Sequence, residues 1–337
     1  MVFEIKKICK IMIFSKTPFR ISLFGGGTDF PEWFNNNKSL VISATINKYA
    51  TIGVRYLPPF FEKKYRIVWS KIDLVNNINK ISHPAVKSIL KYTKEQEGIE
   101  LHHYGDLPAR SGLGTSSSFA IGLLNIINHL QKTKISKQKL AIDSINIERN
   151  ILKEKGGWQD QVIIANGGLK FIEFYDDKFS VSNTGISKKK IKNLGDSLVL
   201  FYTGSNRDSY KIQKFFLENI KNLDSQLNEI NSLAIEGKKI ISSGQNFNEI
   251  GRLLHESWKI KKYFSKKVSN PKIDFIYDKG MKAGATGGKL LGAGKSGFIL
   301  FYCSKDKQKN LISKLKGFIH VPFNFVNHGS RIIDNIG

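Results

Sequence analysis

The sequence has few cysteines and no long hydrophobic run. Its 337 residues include only Cys9 and Cys303, and neither lies in a CxxC or Cys/His spacing. A disulfide-stabilised scaffold and a structural zinc site are therefore excluded. Apolar stretches such as 297–303 are much shorter than the ~18–20 residues of a membrane span. The basic N-terminus is atypical of a signal peptide, because its apolar runs are short and Lys16 follows them. We expect a cytoplasmic protein with no membrane partner.

Acidic residues are also scarce. The chain has 28 Asp and Glu against 53 Lys and Arg, which gives a formal net charge of +25. Clustered cations can bind nucleic acid by releasing counterions from phosphates. Here the lysines occur in short groups along the whole chain, without a long basic tail or an aromatic-rich RNA-binding signature. We interpret the charge as a solvated lysine surface and expect no nucleic-acid partner.

The length and composition indicate two folded domains. At roughly 100–200 residues per domain, 337 residues are enough for two hydrophobic cores. The 23 Phe and 11 Tyr residues supply buriable surface that a disordered chain lacks. The polar, lysine-rich stretch at 185–195 is the best candidate boundary. We therefore predict an N-terminal domain over 1–185 and a C-terminal domain over 186–337.

Hydrophobic periodicity predicts a mixture of strands and helices without regular βαβ alternation, which is typical of an α+β fold. Strands are predicted at 17–24, 40–57, 65–70, 99–104, 168–175, 179–183 and 197–203. Helices are predicted at 83–96, 115–130, 136–153, from 158, and at 207–240, 245–264 and 271–283, followed by further strands and one more helix.

Near the C-terminus, a glycine-rich segment resembles two nucleotide-binding motifs and satisfies neither. Gly292, Gly294 and Gly297 match GxGxxG, but a strand pattern follows them where a dinucleotide site needs a helix. The sequence Gly-Lys-Ser at 294–296 imitates a P-loop, but Lys289 stands where that motif needs glycine. A glycine turn remains, and it could approach a ligand or simply pack against another segment.

Another glycine-rich segment, DLPARSGLGTSSSF at 106–119, feeds directly into a predicted helix. Helix N-termini carry unpaired N–H groups and the positive end of the helix dipole, so they bind anions. A capped helix after a flexible loop would explain one serine of this run. The additional hydroxyls favour a phosphate site at which one of them could bind Mg²⁺.

The segment TPFRISLFGGGTDF at 17–30 and two later acids complete the set of candidates. Arg20 lies in a strand pattern, and Asp29 lies at the following turn, where it could bind sugar hydroxyls or simply cap the turn. Glu148 by itself could be a surface acid, and Asp160 could be a helix cap.

Taken together, these segments resemble the GHMP kinase superfamily over nearly the whole chain. Within it, GGGTDFPEWF, GGWQDQ, HESWKIKK and GGKLLGAG are similar to bacterial D-glycero-D-manno-heptose 7-phosphate kinases. The resemblance implies an N-terminal domain like domain 2 of ribosomal protein S5 and a ferredoxin-like C-terminal domain. It also implies an ATP- and Mg²⁺-dependent transfer of phosphate to the anomeric hydroxyl of a heptose phosphate.

The resemblance assigns roles residue by residue. Asp160 and Arg20 would be catalytic, with Asp160 as either a base or a positioning group, and Ser116 and Glu148 would hold Mg²⁺. The implied ATP-binding residues are Pro108, Arg110, Ser111, Gly112, Leu113, Gly114, Thr115, Ser116 and Ser117. The implied substrate-binding residues are Thr28, Asp29, Arg207, Gly292, Ala293 and Gly294. Cations considered for a substrate phosphate are Arg110, Arg207, Lys259 and Lys261, with Arg207 favoured.

Two departures and three alternatives qualify this interpretation. Lys295-Ser296 replaces small residues of the family motif, and Trp158 replaces a lysine. The alternatives are a kinase of a non-phosphorylated sugar, such as a galactokinase- or fucokinase-like enzyme, a catalytically inactive binding protein, and a nucleic-acid binder. The expected assembly is a monomer or homodimer.

Overall fold

Two β-sheets with flanking helices form the core of the structure. The computed structural model describes residues 12–58, 60–204, 209–264 and 268–333. Its strands are β1 (Ile13–Phe24), β2 (Ser39–Tyr56), β3 (Tyr65–Val68), β4 (Ile72–Val75), β5 (Ile99–Gly105), β6 (Leu169–Tyr175), β7 (Lys178–Asn183), β8 (Leu198–Gly204), β9 (Gly287–Leu290), β10 (Gly297–Tyr302), β11 (Ile319–His320) and β12 (Arg331–Ile333).

The helices connect and cover these strands. They are α1 (Pro31–Phe34), α2 (Pro84–Tyr92), α3 (Thr115–Leu130), α4 (Lys137–Ile145), α5 (Gln159–Asn166), α6 (Lys188–Asp196), α7 (Ser209–Glu218), α8 (Asp224–Ser243), α9 (Asn248–Tyr263), α10 (Pro271–Lys282) and α11 (Lys305–Lys314). None of these described helices is both long and apolar enough to cross a bilayer.

The first sheet has eight strands and is built on the long antiparallel pair β1 and β2. Its main order is β12-β1-β2-β5-β3-β4, and β6 and β7 extend it from β2. Helix α3 packs against β1 and β2 and is buried on most sides, with Ile121, Leu124 and Ile127 among its fully buried residues. Because the whole helix is held in the core, its N-terminus is fixed beside the end of β1.

The second sheet has four antiparallel strands in the order β11-β8-β10-β9. Along the chain these strands follow a β-α-β-β-α-β path, because helices α7 to α10 separate β8 from β9 and α11 separates β10 from β11. This is the ferredoxin-like arrangement. The predicted α+β fold with a ferredoxin-like second domain is confirmed.

The C-terminal segment returns to the first sheet. Strand β12 pairs with β1, with Lys16 opposite Arg331, and the Thr45 hydroxyl donates to the carbonyl of Val326 at 2.9 Å. The domain boundary at 185/186 stays a prediction. The last described strand, β12, nevertheless belongs to the sheet of the N-terminal domain.

Two predicted helices differ from the observed ones. The single helix predicted at 207–240 is wrong within the described residues, because α7 ends at Glu218 and α8 begins at Asp224 after a 3₁₀ turn. Asp224 accepts a hydrogen bond from the Trp33 indole at 2.8 Å, which holds the start of α8 against α1. The helix predicted at 136–153 is regular only to Ile145 and continues as a π-helical turn over Asn146–Ile151.

The close packing of α9 on β9 can be tested by its effect on the stability of the protein. A Cβ added at Gly287 would lie 1.7 Å from the carbonyl oxygen of Gly251, so Gly287→Ala should force helix and strand apart. We expect it to lower unfolding stability by about 1–3 kcal/mol or more. The control Gly317→Ala, whose Cβ would meet nothing within 4 Å, should lie within ~0.5 kcal/mol of wild type in urea unfolding. Equal stabilities for the two variants would contradict this packing.

Candidate active site

The glycine loop before α3 is held against β1. Its backbone turns at Gly112 and Gly114, whose φ angles of 84° and 72° favour glycine. The Leu113 carbonyl accepts from the backbone N–H of Arg20 at 3.0 Å. A Cβ at Gly114 would lie 3.1 Å from Arg20 Cγ and 3.2 Å from Asp160 Oδ2. The N-terminus of α3, which can bind an anion, therefore lies beside the side chains of Arg20 and Asp160.

Arg20 and Asp160 form a bidentate ion pair at this point. Nε and Nη2 of Arg20 donate to the two carboxylate oxygens of Asp160 at 2.6 and 2.7 Å, and Nη1 donates to the Gly112 carbonyl at 2.6 Å. The Arg20 side chain is 6% exposed and that of Asp160 is 21% exposed. Paired N–H···O bonds of this kind restrict the carboxylate in orientation as well as in position. Asp160 is thus fixed where the loop, β1 and the first turn of α5 meet.

Asp29 occupies a buried turn that contacts the start of α5. Its carboxylate accepts from the backbone N–H groups of Gly27 at 3.0 Å and Gln159 at 3.2 Å. Burial raises the pKa of Asp29, and the charge of Asp160 raises it further. A Cβ at Gly157 would lie 1.9 Å from Asp29 Oδ2, so glycine is required there.

Thr28 does not face the cavity. It is fully buried, and its hydroxyl bonds to the Gly25 carbonyl at 2.8 Å and to the Ser39 hydroxyl at 2.6 Å. The predicted direct contact of Thr28 with substrate is therefore corrected: this side chain holds the turn that presents Asp29.

Glu148 lies on the π-helical turn and is surrounded by neutral donors. Its carboxylate accepts from the Ser117 hydroxyl at 2.9 Å, the Ser144 hydroxyl at 3.1 Å and the Gln161 amide at 2.8 Å. Burial raises the pKa of Glu148 to about 8, and the nearby charge of Glu154 adds to the effect. The extra residue of the π turn is a feature common at functional sites.

The residues around Glu148 fit a Mg²⁺ ion whose other ligands come from phosphate and water. The carboxylate and the hydroxyls of Ser116 and Ser117 line the same cavity, and oxygen atoms are the ligands that Mg²⁺ prefers. Within the described ranges, no group of three or more His, Cys, Asp or Glu side chains could enclose a metal. The serine bonded to Glu148 is Ser117, whereas Ser116 is more exposed. Ser116 stays a predicted ligand, and Ser117 is a second candidate.

These groups surround one cavity of about 430 Å³. Of the predicted ATP-binding residues, those that line it are Arg110, Gly112, Gly114, Thr115, Ser116 and Ser117. Ser111 and Leu113 belong to the same loop, but they are fully buried and do not line the cavity. Pro108 precedes the loop and is exposed to solvent. The predicted substrate residues that line the cavity are Asp29, Gly292, Ala293 and Gly294. Arg207 lies outside the described residues.

The glycine turn at 292–294 belongs to the second domain but packs on the loop of the first. A Cβ at Gly112 would lie 2.6 Å from the Leu291 carbonyl oxygen, and one at Gly292 would lie 2.5 Å from Gly112 Cα. This contact places the turn directly on the glycine loop before α3. Both glycines are needed for the approach, because any side chain would separate the two backbones.

Several residues that line the cavity were not predicted, among them Ser22, Gln159 and Lys289. Lys289 had a sequence signal, since it is a lone lysine in an apolar strand, although its position served only to exclude a P-loop. Of the other considered cations, Lys261 lines the cavity, and Lys259 is exposed beside Glu256 at 3.6 Å.

Comparison with known proteins identifies the family of this chain. Residues 77–168 match the GHMP kinases N terminal domain, and residues 237–320 match the GHMP kinases C terminal domain. The chain belongs to the GHMP kinase family. It is therefore a kinase of a family that uses ATP as phosphate donor.

Several relatives are similar over most of this chain. D-glycero-alpha-D-manno-heptose 7-phosphate kinase of Campylobacter jejuni is 30% identical, with 94% of this chain and 97% of the relative covered. The L-fucokinase/L-fucose-1-P guanylyltransferase of Bacteroides fragilis is 26% identical over 88% of this chain and 35% of its own length. The crystal structure of a D-glycero-D-manno-heptose 1-phosphate kinase from Bacteroides thetaiotaomicron has the same fold, with a TM-score of 0.78, 23% identity and coverage of 95% and 98% of the two chains.

The raised pKa of Glu148 predicts how pH affects the metal-free protein. Because the folded state holds a proton on Glu148 up to about pH 8, and the unfolded state releases it near pH ~4.5, this group should lower stability as pH rises between those values. We expect the Glu148→Gln variant to lack this loss, so that its stability relative to wild type should increase by up to a few kcal/mol from pH 5 to pH 8. Urea unfolding in EDTA measures this difference, and a pH-independent difference would contradict the buried, metal-free environment of Glu148.

Proposed function

We propose that this kinase transfers the γ-phosphate of ATP to the anomeric hydroxyl of D-glycero-D-manno-heptose 7-phosphate. The product is the 1,7-bisphosphate, on a route to nucleotide-activated heptose and surface polysaccharide. In the transfer, the bond from the sugar O1 to the γ-phosphorus forms, and the bond from that phosphorus to the β,γ-bridging oxygen breaks, with ADP as the leaving group. The hydroxyl proton passes from O1 to solvent water. The observation that carries the proposal is the Arg20–Asp160 pair, fixed between an anion-binding helix N-terminus and the buried acid Asp29.

The donor half of the cavity is suited to a triphosphate. The backbone of 110–116 and the N-terminus of α3 offer N–H groups to its oxygens. Glu148 with Ser116 or Ser117 would hold Mg²⁺, which when bound neutralises charge on the β- and γ-phosphates. Phosphoryl transfer requires mainly alignment and charge neutralisation of this kind.

The acceptor half positions a hydroxyl group against the γ-phosphate. Asp160 can accept the hydrogen bond of the attacking hydroxyl while Arg20 holds its carboxylate in place. Because Arg20 bonds to both carboxylate oxygens and so fixes their orientation, we assign Asp160 mainly to orienting the hydroxyl. Asp29, next to the glycine turn 25–27, can accept hydrogen bonds from other hydroxyls of the sugar.

A kinase of a non-phosphorylated sugar is the alternative. It is supported by the similarity to a fucokinase and by Asp29, a group suited to hydroxyls rather than to a phosphate. The similarity to a heptose 7-phosphate kinase over nearly the whole of both chains favours the phosphorylated acceptor.

Removing the Asp160 charge tests the transfer step. We expect Asp160→Asn to lower kcat by about 10²–10⁴-fold, because the neutral amide cannot orient the attacking hydroxyl or pair with Arg20 in the same way. ATP affinity, measured by calorimetry, should change little. Asp278→Asn, an exposed acid on α10, serves as the control and should retain wild-type turnover in a coupled ADP assay. Near-normal turnover of Asp160→Asn would remove this residue from the mechanism.

A substrate panel tests the acceptor. Heptose 7-phosphate should be phosphorylated with the highest kcat/KM when compared with free heptose, hexose phosphates, galactose and fucose. The new phosphate should appear on C1 by ³¹P–¹H NMR. A preference for a free sugar would favour the alternative, and phosphorylation at another carbon would contradict the proposed reaction.

A further inference from the structure

Two lysines of the second domain, one buried and one half-buried, lie at the wall of the cavity. Lys289, on β9, is 4% exposed, and its Nζ donates to the carbonyl of Leu23 at 3.0 Å. Lys261, on α9, is half-buried, and its Nζ donates to the carbonyls of Leu290 at 3.2 Å and Gly292 at 2.5 Å. Both residues line the cavity. Each amine is thus held by neutral backbone oxygens.

Neither amine has a carboxylate within ion-pair distance in the part of the chain that the structure describes. Arg20, whose charge acts on both lysines, is already bonded to both oxygens of Asp160. Asp29 is the acid whose charge acts on both lysines, and its oxygens are bonded to backbone N–H groups. This region of the cavity therefore holds more positive than negative charge.

The pKa values of both lysines are lowered, first by burial and then by nearby positive charge. Burial lowers the pKa of Lys289 to about 7, and repulsion from Lys261 and Arg20 adds to the effect. Burial and the charge of Arg20 lower the pKa of Lys261 to about 8. By contrast the next lysine on the same helix, Lys262, is exposed and lies 3.6 Å from Asp274. Removing an unpaired ammonium from water is costly, and an anion in the cavity would offset that cost.

The place of the amines identifies the half of the cavity that such an anion would occupy. Lys289 is bonded to Leu23, two residues before the glycine turn that leads to Asp29, so it lies on the acceptor side. The Ser22 hydroxyl, buried and without a hydrogen-bond partner among the described residues, lines the same region. Gly26 and Gly27 carry no side chains that would fill it.

We propose that Lys261 and Lys289 bind the phosphate that the acceptor already carries, and that they set the preference for a phosphorylated over a free sugar. This inference rests on the proposed function, because it needs an acceptor that bears a phosphate at the end opposite to the reacting hydroxyl. Two ammonium groups would hold a phosphate dianion. That dianion could belong to the acceptor, as proposed, or be the γ-phosphate of ATP.

Kinetics with paired substrates test the proposal. Lys261→Met and Lys289→Met should each lower kcat/KM for heptose 7-phosphate by about ten- to hundredfold, the effect of losing one charged hydrogen bond. For Lys261→Met, kcat/KM for free heptose and KM for ATP should change by less than about threefold, since neither needs this phosphate contact. Lys289→Met also loses the bond to Leu23, so its loss on heptose 7-phosphate should exceed its loss on free heptose. Lys262→Met is the matched control and should behave as wild type. Equal losses on the two sugars would overturn the proposal.

A binding experiment separates the two phosphate sources and does not depend on turnover. The protein is saturated with Mg²⁺ and a non-hydrolysable ATP analogue, which fills the γ-phosphate position, and inorganic phosphate is then added. Phosphate should raise the thermal unfolding midpoint of wild type and of Lys262→Met, and should have little effect on Lys261→Met. If Lys289→Met does not fold, Lys261→Met alone carries the test.

If phosphate no longer raises the unfolding midpoint of wild type once the analogue is bound, the amines bind the γ-phosphate of ATP. That result would overturn the proposal. If no sugar is a substrate but this phosphate effect is present, the acceptor assignment fails and the anion subsite remains.

Discussion

The bidentate pair of Arg20 and Asp160 is the interaction on which the rest of the site depends. It joins β1 to the first turn of α5, and the third bond of Arg20, to the Gly112 carbonyl, adds the glycine loop. Removing one partner of a buried ion pair typically costs about 3–5 kcal/mol, because the other charge is left without compensation. The pair therefore acts on both structure and chemistry: it holds three segments together, and it keeps an acid oriented beside the N-terminus of α3.

A second constraint acts between the two domains. The turn at Gly292 packs on Gly112 at backbone distance, and Lys289 reaches from β9 to the Leu23 carbonyl of β1. Strand β12 also returns to pair with β1. The cavity is consequently built from both domains, with the donor half belonging mainly to the first domain and part of the acceptor half to the second. A change in the packing of either domain would alter the distance between the two halves.

The local backbone of the site could be predicted from the sequence better than its packing. Gly112, Gly114 and Asp160 are found where their motifs indicate, because turn geometry and helix starts depend on neighbouring residues. The roles of Thr28 and of the serine bonded to Glu148 depend instead on the direction of a side chain. A shift of one residue along the helix or the turn changes that direction. The break between α7 and α8 likewise depends on a contact between Trp33 and Asp224, 191 residues apart in sequence. No local pattern contains that information.

The proposed transfer requires an acceptor hydroxyl between Asp160 and the γ-phosphate, with the rest of the sugar extending towards Asp29. The most direct measurement is a crystal structure of the protein with Mg²⁺, a non-hydrolysable ATP analogue and heptose 7-phosphate. The sugar O1 should lie within hydrogen-bond distance of an Asp160 carboxylate oxygen, about 2.6–3.2 Å, and should face the γ-phosphate. A sugar bound with O1 directed away from Asp160, or outside the cavity formed by the two domains, would contradict it.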